Sequence, residues 1–216
     1  MSKKPVLAVD VDDTIAHLML CICQFYKDTY PLPHFEVSDY HTLEFNIIWG
    51  GTREEADEKV EAFYVSEHMT NGIKPIAGAL EELTKLKEHF ELHIVTARPH
   101  NVRQKTIDWI AQHFGADLFT DYHFGNLYGM TGERRRKSQM CGDIGAVCLV
   151  DDSASYALDC AGHKLPVLLF GNYAWNTNDD LSMVLGAHEQ YIHRVGDWTQ
   201  AGAMLRKLFI DNKSAE

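Results

Sequence analysis

No run of about 18 or more apolar residues occurs in this chain of 216 residues, so no membrane-spanning helix is expected. Positive charge is also scarce. Lys and Arg number 20 against 31 Asp and Glu, a formal net charge of -11. A protein that grips a nucleic-acid polymer needs a basic face, and this chain has little to build one from. Its one basic run is Arg134-Arg135-Arg136-Lys137, and for the three arginines a solvated loop is the plain expectation. The five cysteines include no CxxC pair. Cys21 and Cys23 stand on an expected helix at positions that point to different faces. All five are expected to be reduced and mostly buried, not disulfide partners or zinc ligands. The 12 histidines form no HExxH motif and no clustered pair. Met1-Ser2-Lys3-Lys4-Pro5 leads into a strand without an apolar stretch and a small-residue cleavage site. No secretory signal is expected, and a cytoplasmic location follows by default.

What is present is a chain long enough for one α/β domain with a sizeable insertion. Residues 5–10 read as a short apolar run ending in an acid, a buried parallel strand. A helix is expected from about 14 to 30, broken by Pro31 and Pro33. Residues 34–51 hold no long periodic pattern. Thr52 as N-cap with Glu55 three residues on predicts a helix to roughly Met69. From Pro75 the rhythm changes to helix 76–89, strand 92–96, helix 100–114, a short strand near 118–123 and a Gly-rich loop. Strand 146–150, helix 153–161, strand 166–170 and a last helix over about 197–211 complete the chain. This alternation implies a parallel sheet with helices on both faces. The stretch from about 15 to 72 does not fit it, and reads as a helical insertion over the carboxyl ends of the strands.

Open α/β sheets bind ligands at those carboxyl ends, and three expected strands end in chemistry. The first runs into Asp10-Val11-Asp12-Asp13-Thr14, the second ends in Thr96, and the later one is stopped by Asp151-Asp152. Lys137 precedes that last strand by a loop or a short helix. The carboxylates of Asp10, Asp12, Asp151 and Asp152 would converge, and like charges so close repel. A divalent cation removes that penalty, and oxygen ligands favour Mg2+. One such acid pair alone would read as helix caps and turns. Two pairs with a Thr and a Lys at matching strand ends read as a site. A carboxylate can attack phosphorus. A second acid two residues on can protonate the leaving oxygen and then activate water. A hydroxyl and an ammonium can hold the phosphoryl oxygens.

Asp10-Val11-Asp12-Asp13-Thr14 resembles the DxDx[TV] first motif of haloacid dehalogenase-like hydrolases. Thr96 resembles their second motif, Lys137 their third, and Asp151-Asp152 their fourth. The resemblance implies a Rossmann-like α/β core, residues 1–14 and 73–216, with a small helical cap, residues 15–72, inserted after the first strand. It implies Asp10 as nucleophile and metal ligand, and Asp12 as general acid/base that also gives a backbone carbonyl to the metal. Thr96 and Lys137 would bind phosphate, with Lys137 also steadying Asp10. Ala97 and Arg98 are further candidate phosphate or substrate contacts, from their place beside Thr96 in the sequence and not from the resemblance. Asp151 and Asp152 would complete a Mg2+ site. Dehalogenases lack the second acid of the first motif, so Asp12 points to phosphatase chemistry.

Within that class the chain resembles the 5'(3')-deoxyribonucleotidases. Ile73-Lys74-Pro75-Ile76-Ala77-Gly78-Ala79-Leu80 is similar to their lead into the first crossover helix, and Asp108-Trp109-Ile110 with Phe114-Gly115 to a later region. Val167-Leu168-Leu169-Phe170, Asn172 and Gly196-Asp197-Trp198 are similar to their ending. The chain departs from them with Asp13-Thr14 in place of G-V, and with Thr96-Ala97-Arg98-Pro99 in place of T-S-P. The expected partner is a small phosphomonoester, a nucleoside monophosphate by resemblance, with an oligomer left open. Phe45 and Trp49, in the irregular stretch of the insertion, are candidates to stack on a base. Alternatives are a phosphatase of sugar phosphates or other small metabolites, and a non-catalytic binding or regulatory protein on this fold.

Overall fold

Each apolar run that precedes an acidic or glycine-bearing turn becomes a buried parallel strand. The computed structural model describes residues 3–127, 132–177 and 186–211. The strands are β1 (Val6–Val9), β2 (Glu91–Thr96), β3 (Asp121–Phe124), β4 (Ala146–Asp151), β5 (Val167–Phe170) and β6 (Ile192–Val195). They form one sheet in the order β3-β2-β1-β4-β5-β6, with every neighbouring pair parallel. The helices are α1 (Leu18–Thr29), α2 (Phe45–Trp49), α3 (Arg53–Val65), α4 (Ala79–Leu86), α5 (Arg103–Phe114), α6 (Lys137–Asp143), α7 (Ala154–Gly162) and α8 (Trp198–Phe209). The Gly-rich loop expected after the third strand falls partly, at 128–131, outside the described residues.

Alternate residues of each strand feed opposite faces of the sheet. Leu7, Val9, Leu92, Ile94, Val150 and Leu168 pack on one side with Leu83 of α4, Ile110 of α5 and Trp198 of α8. Ala8, Val95, Leu149 and Leu169 pack on the other with Met140 of α6 and Ala157 of α7. Burial on both faces explains why these strands read as unbroken apolar runs. Among the described residues no helix is long and apolar enough to cross a membrane.

Three differences from the sequence expectation have local causes. First, the helix expected from about 14 begins at Leu18. Asp13 adopts a positive φ of 48°, and the N–H groups of Ile15 and Ala16 both turn back to the Val11 carbonyl, at 3.0 and 2.9 Å. A tight loop follows β1 there, and both Asp13 carboxylate oxygens accept from Met19 N at the start of α1. Second, Phe45 and Trp49 stand on a one-turn helix, α2, and not in an irregular loop. Third, β6 was not expected. Its Ile192-His193-Arg194-Val195 is short, and only its two ends are buried, as suits an edge strand. Helix α3 starts as its capping box predicts. Thr52 Oγ1 accepts from Glu55 N at 3.2 Å, and Glu55 Oε2 accepts from Thr52 N at 2.8 Å. It ends at Val65, short of Met69, and a separate turn, His68–Gly72, follows. The five cysteines are free and buried. The histidines do cluster at one place. His93 and His123, far apart in sequence, meet across β2 and β3.

Candidate active site

The strand order reverses direction of travel at β1 and β4, and the crevice outside their carboxyl ends is where such sheets bind ligands. Asp10 sits there because its N–H continues the β1–β4 pairing, donating to Val150 O at 3.0 Å. Asp151 ends β4 and Asp152 follows it. Ligand atoms of Asp10, Asp151 and Asp152 lie within 4.8 Å of one another, and all three residues are buried.

Lys137, the first residue of α6, is buried between two of these acids. Its Nζ stands 2.7 Å from Asp10 Oδ1 and 2.6 Å from Asp151 Oδ2, and 4.5 Å from the centre of the Tyr156 ring. Burial opposes its charge, yet Asp10 and Asp151 hold its pKa well above the ordinary lysine value. One ammonium does not satisfy three carboxylates. Burial, with the neighbouring acids adding to it, pushes Asp10 up to about 7 despite Lys137. Burial and the charges of Asp151 and Asp10 raise Asp152 well above the carboxylate range. Asp151 is raised as well, first by burial. The cluster is therefore short of positive charge, and its all-oxygen donor set suits a hard divalent cation.

The remaining contacts of Asp151 and Asp152 are fixed by neighbours on the loops. Asp151 Oδ1 accepts from Ser153 N at 2.9 Å. Asp152 Oδ2 accepts from Trp175 Nε1 at 2.8 Å, and its carbonyl accepts from Asn176 Nδ2 at 2.8 Å. Trp175, Asn176 and Tyr156 were not singled out from sequence. The segment Gly171-Asn172-Tyr173-Ala174-Trp175-Asn176 follows β5 at the same sheet edge, and that placement is the signal that could have found two of them.

Asp12 departs from the expected convergence of four carboxylates. Its side chain turns to Arg98, whose Nε donates at 3.0 and 3.1 Å and whose Nη2 donates to Oδ1 at 2.6 Å. Arg98 is 1% exposed and also donates from Nη1 to Thr106 Oγ1 at 2.9 Å. It is thus a buried holder of Asp12, not the substrate contact expected of it. A desolvated guanidinium offers the Asp12 carboxylate a forked, charge-assisted donor, whereas the acid cluster offers it only like charge.

Thr96 ends β2 fully buried, and its hydroxyl accepts from Arg98 N at 3.2 Å. Ala97 lines a cavity with Asp10, Asp12, Lys137 and Asp152, and Phe45 and Tyr64 close it from the helical segment. Trp49 does not reach this cavity. It stacks on Phe45 at 4.6 Å and donates to Tyr40 Oη at 2.8 Å, facing an outer groove beside Tyr30 and Lys59. Arg135 and Arg136 pair with Asp143 and Asp159. A cleft of about 460 Å³ adjoins the cavity, sharing Leu43, Phe45, Val60, Ser153 and Tyr156 with it.

The comparisons with known proteins agree with this fold. The family model described as 5' nucleotidase, deoxy (pyrimidine), cytosolic type C protein matches residues 4–208. No curated protein matches the chain. Among solved structures, a predicted phosphatase from Clostridium acetobutylicum is similar over 96% of this chain and 100% of its own, at 13% identity and a TM-score of 0.70. A haloacid dehalogenase-like hydrolase from Streptococcus pneumoniae is similar over 95% and 100%, at 12% identity and 0.66. A haloacid dehalogenase-superfamily hydrolase from Geobacter sulfurreducens is similar over 94% and 99%, at 14% identity and 0.57. At these identities the likeness speaks for the fold.

Proposed function

Because this chain belongs to the 5' nucleotidase, deoxy (pyrimidine), cytosolic type C family, and is thus a phosphoric monoester hydrolase, we propose that it hydrolyses nucleoside monophosphates through an aspartyl-phosphate on Asp10. The observation that carries the reading is the row Asp10–Lys137–Asp151, with Asp152 beside it, buried at the carboxyl ends of β1 and β4. A carboxylate held 2.7 Å from an ammonium at the floor of a cavity is aimed and oriented as a nucleophile.

Asp10 attacks phosphorus, and the bond from phosphorus to the ester oxygen breaks. Asp12 passes a proton to the leaving oxygen. Water then attacks the acyl phosphate, Asp12 takes its proton, and phosphate leaves with Asp10 restored. Lys137 and the backbone around Ala97 stabilise the phosphoryl oxygens as charge builds. Arg98 fixes the carboxylate of Asp12 at the cavity wall, so that the group that moves the proton has one orientation. Asp10 and Asp152, with Asp151, would hold Mg2+, joined by the Asp12 carbonyl. Bound there, the ion supplies charge neutralisation and alignment of the phosphate. Residues 15–72 act as the cap. Phe45 of α2 lines the cavity from the cap, and the adjoining cleft is of a size to take a nucleoside. The working location is the cytoplasm, in keeping with the family description.

The test is phosphate release from deoxy- and ribonucleoside monophosphates, sugar phosphates and p-nitrophenyl phosphate, with Mg2+ and with EDTA. Mg2+-dependent release favouring the deoxynucleotides is expected. Release from sugar phosphates alone would keep the chemistry and overturn the nucleotide assignment.

A further inference from the structure

A second set of metal-binding side chains lies away from the catalytic acids. Parallel strands β2 and β3 pair with His93 opposite Asp121 and Val95 opposite His123. Side chains two apart on a strand share a face. Glu91, His93, Asp121 and His123 therefore project from one side of the same two strands. His93 Nδ1 and His123 Nε2 are 3.1 Å apart, and His123 Nε2 is 3.5 Å from Asp121 Oδ2. One ligand atom from each of the three lies within 4.8 Å of the others.

We propose that His93, His123 and Asp121 bind one divalent transition-metal ion of the zinc type, which clamps edge strand β3 to β2. Donors bonded to zinc at about 2.0–2.2 Å in a tetrahedral site stand roughly 3.3–3.5 Å from one another, close to the two spacings above. Two imidazoles and one carboxylate suit zinc, cobalt or nickel, and are a poor set for Mg2+. The two rings lie within 4° of parallel with their centroids 5.4 Å apart, so they meet edge to edge, nitrogen facing nitrogen. One hydrogen occupies that gap. For the ion to replace it, each ring pivots by roughly 35° to open a tetrahedral angle, and His123 moves that hydrogen from Nε2 to Nδ1, so both rings bind as neutral imidazoles.

The surroundings support the ligand roles. Glu91 Oε1 lies 3.2 Å from His93 Nε2. Accepting the hydrogen there leaves the Nδ1 lone pair toward His123, the carboxylate–histidine–metal arrangement that orients a ligand ring. Burial lowers the pKa of His123, which favours the neutral ring a metal needs. Arg103 and Arg135 also act on His123 and oppose a cation. Arg135 is paired with Asp143, and Arg103 donates to Tyr122 O and lies over the Phe124 ring. The Asp121 side chain is 57% exposed, which gives the ion a way in and water as the fourth ligand. His93 precedes Thr96 by three residues of strand, about 10 Å, so the site is separate from the phosphate contacts.

The test is zinc titration of the full chain by calorimetry in a large excess of Mg2+, so that the catalytic acids are already occupied, alongside histidine side-chain NMR. One equivalent of zinc is expected to bind, to shift the His93 and His123 ring signals, and to raise the melting temperature. His123→Gln is expected to abolish binding, and Glu91→Ala to weaken it roughly 10-fold or more. Asp121→Asn changes an exposed group and keeps the fold, so a weakened affinity in that variant decides the matter should His123→Gln not fold. Zinc uptake that is absent in the wild type, equal in Asp121→Asn and His123→Gln, or without effect on the two rings overturns the proposal.

Discussion

Asp10 and Asp12 differ by two positions, and their surroundings divide their work. Asp10 is enclosed with Lys137, while Asp12 is a fifth exposed and held by Arg98. Asp10→Asn replaces one oxygen by an amide of the same shape. We expect it to remove turnover by at least about a thousandfold while the thermal transition stays cooperative. Asp12→Asn should slow turnover by about 10² to 10⁴. Arg98→Ala leaves the Asp12 carboxylate without its partner and should cost on the order of 2–3 kcal/mol, read by chemical denaturation, the lower end reflecting the partial exposure of Asp12. Arg98→Lys cannot reproduce the forked contact and should restore little of this. The acids were legible in sequence because each ends an apolar run, and the sheet edge collects what ends its strands. Arg98 was not legible in its role. Its neighbour Thr96 suggested a phosphate contact, while its partner Asp12 is 86 residues away and the direction of the side chain is set by packing against Thr106.

At the scale of elements, the strands and crossover helices from 75 to 170 could be read because burial on both faces leaves a continuous apolar signature. The start of α1 could not, since it depends on the positive φ of Asp13 and on carbonyls shared at Val11. Strand β6 carries only two buried positions, too few to separate from a loop. The capping box of α3 was legible, because it is local. Thr52→Ala should destabilise the protein by about 1 kcal/mol, and an unchanged denaturation midpoint would remove the cap from the account. The loop after β5 matters more for chemistry. Trp175→Phe deletes the hydrogen bond to Asp152, and is expected to raise the Mg2+ concentration needed for half-maximal activity by several-fold, with little change in the maximal rate.

Over the whole molecule, an acidic chain gathers its most costly negative charges at one buried point. The folded pKa of Asp10 is about 7 against an ordinary 3.8, and Asp151 and Asp152 are raised too. The metal-free folded state therefore binds more protons than the unfolded chain between these values, and its stability falls as pH rises from about 4 to 7. A cation in the cluster offsets that loss. The rise in melting temperature on adding Mg2+ should be larger near pH 8 than near pH 5, and should shrink in Asp152→Asn. A pH-independent rise, or one unchanged in that variant, would place the ion elsewhere. The central claim, that the phosphoryl group passes through Asp10, is tested most directly by trapping it. The Asp12→Asn protein is mixed with a phosphate-labelled deoxynucleoside monophosphate and Mg2+, quenched in acid and digested. The account predicts label on the peptide that carries Asp10, and none in the double variant with Asp10→Asn. Label on another residue, or phosphate release with no labelled peptide, would contradict it.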